Sequence, residues 1–359
     1  MPQSLKTPDP SSGIEEAVTR YINLRPTYEQ FAERLHSLFQ NLMEIEQIGY
    51  QTIERRSKSI ESFQGKLLRP GKSYADPFTQ VPDLAGLRVI VYFDRDVERV
   101  AALIDRELDV DPLSSSDKRS ELAPDQFGYL SVHKVARIGS SRGNLPEWRH
   151  FRDCLVEIQV RTVLQHAWAA ISHKLQYKRE AEVPIEFRRR LIRLAGLLEL
   201  ADEEFGALGT TEAELRDEIS VRIAERDPAV ELNSLSIEEY LNSDIIIRIR
   251  NAATNAGLTL SELDLSEGSQ LLMIGQALDI RTTGELTTEL TRIAEKAEEF
   301  FKELLRYGKS IGGNEDYFAA AILVGKNHTK ISEEVIVPPW SPTHWPKVVE
   351  AGNAVFLSK

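Results

Sequence analysis

Hydrophobic positions in the first half of the chain switch repeatedly between the helical and the strand period. Tyr28, Phe31, Leu35, Leu38, Leu42 and Ile45 fall at steps of three and four, so they share one helix face. Thr27 and Gln30 have capping-box spacing at its head, which puts the helix start near Thr27. Leu87 to Phe93 is a compact apolar strand. Asp94 and Asp96 then offer a helix start, and Val97, Val100, Ala101 and Ile104 form that helix's inner face. Tyr129 to Ile138 alternate as a strand, and so do Cys154 to Val160. A helix follows with Leu164, Ala167, Trp168, Ile171 and Leu175 facing inward. Another begins near Pro184 and carries Phe187, Leu191, Leu194, Leu197 and Leu198. Interleaved strands and helices predict an α/β (α+β) fold, a mixed β-sheet flanked by helices with a mainly helical C-terminal extension.

Pro and Ser crowd residues 1–13, and residues 1–24 are expected to be disordered. The sheet domain is expected over residues 25–205. Residues 111–127 read as a polar loop, and SSRGNLP as a turn before the Cys154 strand. Amphipathic helical patterns with prominent acidic residues recur over residues 234–305, so residues 206–359 are expected to form a mainly helical accessory or regulatory region. The tail VIVPPWSPTHWPK is too rich in Pro for one continuous helix and reads as an extended arm.

A chain of 359 residues suits two domains, and 42% hydrophobic with 28% charged residues suits a globular protein. The net charge of −12 disfavours bulk electrostatic capture of DNA or RNA, while a local basic patch remains able to hold phosphate. Cys154 is the single cysteine, so no internal disulfide is available; a buried structural thiol in a reducing cytoplasm is the expectation. No apolar run reaches the roughly 20 residues of a membrane span, and the polar N-terminus lacks a signal core.

The chemistry gathers in four blocks. Arg56, Lys58, Ser59, Ser62 and Lys66 lie in a basic segment suited to a polyphosphate, where several cations must converge on mutually repelling charges. A solvated charged face has the same composition. Asp83 stands just before a strand, with Gly86 and Arg88 after it, which puts a carboxylate at a sheet edge with backbone room beside it. Tyr129, Ser131 and His133 alternate on one side of their strand, a set that suits a base, a sugar and phosphate, or plain half-buried packing. Glu157, Gln159 and Arg161 share one strand face, and a carboxylate, an amide and a guanidinium in a row suit a metal, a base edge and a phosphate. His166 reads as structural; His173, further along the helix, is equally a ligand contact or a residue bonded to backbone.

Together these blocks resemble the alarmone synthetase (pyrophosphokinase) domain of the RelA/SpoT family. Glu157-Ile158-Gln159-Val160-Arg161-Thr162 with His173 to Lys178 is similar to the family's strand and following helix. Arg56 to Lys66 resembles its R-x-K-S-x-x-S-x-x-x-K motif, and Gly128 to His133 its G-Y-x-S-x-H loop. The resemblance covers roughly residues 25–205 and implies a nucleotidyltransferase-like synthetase domain there. It implies that Asp83 and Glu157 hold Mg2+, with Glu157 also activating the attacking 3′-hydroxyl. Arg56, Lys58, Ser59, Lys66 and Arg88 would bind the ATP donor, with Arg56 and Arg88 sandwiching its adenine. Tyr129, Ser131, His133, Gln159, Arg161 and His173 would bind the acceptor, a guanosine nucleotide.

Some positions depart from common family forms. Asp125-Gln126-Phe127 stands where many guanosine-using members have Lys-x-Asn, Leu130 replaces a usually polar residue, and Ala170 and Ser172 replace frequent glutamates. Phe127-Gly128-Tyr129 and Gln165-His166-Ala167-Trp168-Ala169 look closer to fused, toxin-like synthetases, some of which modify the 3′-CCA end of tRNA. Arg188 to Arg193 is a basic cluster able to guide such an acceptor. A nucleotide pyrophosphokinase, a tRNA-end toxin restrained by residues 206–359, and an inactive nucleotide-binding regulator therefore stand as alternatives. The chain has no His-Asp doublet and so lacks the family's hydrolase signature; synthesis without degradation is expected.

Overall fold

The computed structural model describes residues 10–117, 131–175, 185–266, 268–307, 312–331 and 344–357. Two compact units divide the chain, Met1–Gly209 and Thr210–Lys359. The first is built on a six-stranded mixed sheet ordered β1-β2-β6-β5-β3, with β4 also paired to β5. These strands are β1 Tyr50–Ser57, β2 Ala85–Val91, β3 Leu108–Val110, β4 Ser116–Asp117, β5 Val132–Ile138 and β6 Val156–Thr162. The central pair, β2 and β6, is parallel, and the other pairs are antiparallel. Here a mixed α/β sheet is the finding.

The two sheet faces differ because side chains alternate. On one face Ile53, Leu87, Val89, Val91, Ile158 and Val160 are buried. Helix α1 (Pro10–Ile45) packs on β1 and β2 there, contributing Tyr21, Phe31, Leu35, Phe39 and Met43, each fully buried. The opposite face carries Glu54, Arg56, Gly86, Arg88, Glu157, Gln159 and His133, aligned by the strand register. The helix α3 (Asp94–Glu107) adds Val97, Val100, Leu103 and Ile104 to the same core. Cys154 is buried in that core, and its surroundings push the thiol up to about 11.

Three expectations need correction. The first helix begins at Pro10, not near Thr27, and residues 10–24 belong to it. Tyr21 is what holds this turn: its ring lies 4.4 Å from that of Phe63 and is wholly buried. Pro26 sits inside the helix and removes one N–H, and the neighbouring exposure (Ile22 is 49% exposed) leaves water to satisfy the freed carbonyl. Second, the basic segment opens as the strand β1, followed by helix α2 (Ile60–Leu67). Third, helix α4 (Val163–Leu175) buries Gln165 and Ser172, whereas Ile171 and Leu175 are exposed. Its start is a reciprocal cap that uses polar side chains: Thr162 Oγ1 accepts from Gln165 N at 3.1 Å, and Thr162 N donates to Gln165 Oε1 at 3.0 Å.

Helix α5 (Ile185–Ala224) reaches back to that cap through Asp202, whose Oδ2 accepts from Thr162 Oγ1 at 2.6 Å. The second unit is helical, with α6 (Asp244–Ala256), α7 (Gln270–Ala277), α8 (Thr283–Ala294), α9 (Ala297–Tyr307), α10 (Glu315–Asn327) and α11 (Trp345–Gly352). Phe300, Phe301, Phe318, Ile322 and Leu323 are fully buried at its centre. Buried Asp316 ties α10 to the start of α7, accepting from Ser269 Oγ at 2.5 Å, Gln270 N at 2.7 Å and Leu271 N at 3.1 Å. The expected extended arm falls outside the described residues as far as residue 343, and Trp345 opens a helix. Among the described residues no helix is long and apolar enough to cross a membrane.

Asp202 gives the first unit a pH signature. Burial, with a smaller push from the Asp94 charge, raises its carboxyl from 3.8 to about 6 against the lowering effect of the Thr162 bond. The folded state therefore binds the extra proton between about pH 4 and pH 6, and stability falls as pH rises through that window. Asp202→Asn keeps an acceptor for Thr162 and removes the ionisation. It is expected to stabilise the protein by roughly 1–3 kcal/mol near pH 8, with the gain shrinking toward pH 4, measured by urea denaturation across pH.

Candidate functional site

Four neighbouring strands, β1, β2, β6 and β5, and the turns at their ends assemble the site. The register places Arg56 opposite Gly86 and Gly86 opposite Glu157, forming one row across the sheet. The next row runs Glu54, Arg88, Gln159 and His133. Gly86 is what lets the first row close. A Cβ there would lie 3.2 Å from both Cγ and Nε of Arg56, so the Arg56 chain crosses over β2 where a side chain is missing. It reaches toward β6, with Nη2 3.7 Å from Glu157 Oε2.

Asp83 lies just ahead of β2 and is held by two ammonium groups. Lys58, at the end of β1, pairs with its Oδ2, and Lys66 on α2 pairs with its Oδ1 at 2.8 Å. Burial pushes the Asp83 carboxyl up, but these two lysines outweigh it and hold the group below the ordinary carboxylate range. Ser59 Oγ caps α2, accepting from Ser62 N at 3.1 Å and donating to Ser62 Oγ at 2.9 Å, which orients the helix that carries Lys66. Tyr21, which the sequence reading missed, donates its hydroxyl to the Lys58 carbonyl at 2.7 Å and so anchors the turn from outside the motif. Its sequence signal was only an aromatic two turns ahead of Tyr28 on the same helix face.

Glu157 is the second carboxylate. Burial raises its pKa most, and the nearby Asp83 charge also raises it; bonds from His133 and Gln159 overcome both, so the group stays below its ordinary value. His133 Nδ1 is 3.6 Å from Glu157 Oε1, and Gln159 Nε2 donates to Oε2 at 3.1 Å. Ser131 Oγ and His133 Nε2 lie 2.8 Å apart. Arg161 shares this face but is buried (4% exposed) next to His166, whose pKa burial lowers first and Arg161 second. Arg88 Nη1 donates to Glu54 Oε2 at 2.6 Å, a partner the sequence reading also missed.

The structure thus brings together Arg56, Lys58, Lys66, Asp83, Arg88, His133, Glu157 and Gln159. It does not bring His173 to them: His173 is exposed on α4 and makes no hydrogen bond or ion pair to the cluster among the described residues. Tyr129 lies outside the described residues, as do Tyr177 and Lys178. Chemically, the cluster offers two ionised carboxylates, Asp83 and Glu157, with several cations and polar side chains, and Glu54, Arg56, Gly86, Arg88, Glu157 and Gln159 line a small cleft on the same sheet face. A larger cavity, about 730 Å3, lies within the second unit, and none of the sequence-predicted site residues lines it. The concentration of charge decides for the sheet face over the larger hollow.

Residues 55–182 match the family model described as a region found in RelA / SpoT proteins. GTP pyrophosphokinase YwaC of Bacillus subtilis (strain 168) is 29% identical over 161 residues, which are 44% of this chain and 73% of that protein. GTP pyrophosphokinase YjbM of the same organism is 30% identical over 126 residues, 35% of this chain and 56% of that protein. The crystal structure of small alarmone synthetase 1 from Bacillus subtilis aligns with a TM-score of 0.45 at 24% identity, covering 55% of this chain and 99% of that one.

Lys58→Met leaves Asp83 with Lys66 alone. Because both partners are mostly buried, the change is expected to destabilise the protein by about 1–3 kcal/mol at neutral pH. The stabilising effect of a depressed carboxyl exists above its unfolded pKa of 3.8 and is lost as pH falls through the lower folded value. The variant's deficit should therefore be constant from about pH 8 to pH 5 and shrink only below the ordinary aspartate range, as read by denaturant titration.

Proposed function

We propose that the chain, whose residues 55–182 match the region found in RelA / SpoT proteins, is a synthetase of that family and transfers the β,γ-pyrophosphate of ATP to the 3′-hydroxyl of a guanosine nucleotide, GDP or GTP, forming (p)ppGpp-type alarmones. The observation that carries the reading is the doubly held Asp83 beside Glu157: two carboxylates and the cations of a polyphosphate site at the head of one sheet face.

Lys58 and Lys66 are the groups that take the donor's phosphates, exchanging their shared carboxylate partner for phosphate oxygens. Arg56 crosses from β1 over Gly86, and Arg88 stands two residues beyond Gly86 on β2. That repeat is about 6.8 Å, room for one flat ring at roughly 3.4 Å from each guanidinium plane. This supports an adenine slot between them. Ser131, His133 and Gln159 line the side of Glu157 away from the donor cations, where an acceptor ribose and base would lie. Glu157, ionised at neutral pH, is the group within the cluster able to accept the hydroxyl proton.

Among the described residues no three His, Cys, Asp or Glu side chains form a metal cluster. Two carboxylates nonetheless fit Mg2+, which is held by one or two carboxylates with substrate phosphates and water completing its shell. Asp83 and Glu157 would hold it, and the ion would neutralise charge on the phosphates.

The direct test incubates labelled ATP with GDP, GTP, ATP or deacylated tRNA. Label on the 3′ position of GDP or GTP is the expected result. Label on tRNA alone would move the reading to a toxin acting on the 3′-CCA end, and label on no acceptor would leave a nucleotide-binding regulator. Glu157→Gln should lower turnover by about 10^2–10^4 while ATP still binds. Gly86→Ala, which pushes on the Arg56 stem, should raise the KM for ATP by roughly tenfold or less with kcat little changed, since it perturbs donor binding and leaves the acids in place.

A further inference from the structure

Glu54 stands on the same sheet face as Arg56 and Arg88, one alternation before Arg56 and directly opposite Arg88. Its Oε2 accepts from Arg88 Nη1 at 2.6 Å. Its Oε1 makes no hydrogen bond among the described residues. The carboxylate is 45% exposed and lines the cleft bounded by the two arginines. Nothing in the pyrophosphate chemistry above requires an acid at this position.

We propose that Glu54 determines donor specificity by accepting a hydrogen bond from the 6-amino group of the donor purine. The inference rests on the reading of Arg56 and Arg88 as the walls of a purine slot. A ring held between those guanidiniums turns one edge toward β1, and Glu54 is the acid on β1 at that edge. An ionised carboxylate only accepts. Oε2 already accepts one bond from Arg88, and Oε1 keeps its lone pairs for a donor on the ligand. Guanine presents a 6-oxo acceptor at the corresponding position, which would meet the carboxylate acceptor to acceptor. That repulsion biases the slot toward adenine, and the charge-assisted bond to the 6-amino group favours it further.

The test is equilibrium binding by calorimetry of ATP, GTP and purine riboside triphosphate, which lacks any 6-substituent, each with Mg2+. The wild-type protein is expected to bind ATP at least about tenfold more tightly than the other two. Glu54→Leu and Glu54→Ala, which leave no acceptor, should bring ATP and purine riboside triphosphate close to parity, with far-UV circular dichroism unchanged. If both variants weaken all three nucleotides by the same factor, Glu54 only positions Arg88 and the proposal is overturned. An unchanged preference for ATP overturns it as well. Arg56→Ala and Arg88→Ala separate the underlying reading: if neither weakens ATP binding, the slot itself is misplaced and the proposal goes with it. If they weaken ATP binding while the Glu54 variants keep the preference, the slot stands and only the role of Glu54 fails.

Discussion

The parallel register of β2 against β6 is the constraint on which the site depends. It sets Gly86 beside Glu157 and Arg88 beside Gln159, and the antiparallel partner β1 then brings Arg56 and Glu54 into the same rows. A slip of one residue would turn every one of these side chains into the apolar core. The register is fixed from the other side of the sheet, where Leu87, Val89, Ile158 and Val160 are buried against α1 and α3. Hydrophobic packing on one face thus determines polar geometry on the other.

That polar face is arranged as an internal balance of charge. Each of the two acids is occupied by groups that a substrate would need: Lys58 and Lys66 sit on Asp83, while Arg56, His133 and Gln159 approach Glu157. The partners suppress the cost of keeping half-buried carboxylates ionised. On the proposed reading, a polyphosphate with a divalent cation would carry the complementary charges, so both sets of partners would exchange together and neither acids nor cations would be left bare. Binding of donor and ion is then expected to be mutually reinforcing.

The apolar strands and the chemistry-bearing residues were legible in the sequence because their neighbours alternate cleanly, as in Val156 to Arg161. β1 was not. Its core-facing Arg55 is exposed and ion-paired with Glu33 of α1 at 3.0 Å, so Glu54-Arg55-Arg56 shows no hydrophobic alternation and reads as a basic segment. Glu54 was overlooked for that reason. The inward face of α4 was misjudged because its buried positions are Gln165 and Ser172, the first used in the cap with Thr162, whereas apolar Ile171 and Leu175 face outward. The helix start at Pro10 was hidden by Pro26 and a polar composition; only contacts distant in sequence, Tyr21 with Phe63 and with the Lys58 carbonyl, distinguish that segment.

The tether from Tyr21 to the Lys58 backbone has a practical consequence for anyone dissecting this protein. The match to the family model begins at residue 55, so a fragment trimmed to that region would discard both the aromatic plug under Phe63 and the hydroxyl that steadies the lysine turn. Such a fragment would retain every motif side chain from Arg56 onward yet lose the scaffold that aims them. The smallest faithful catalytic piece must reach back through the first helix to include Tyr21.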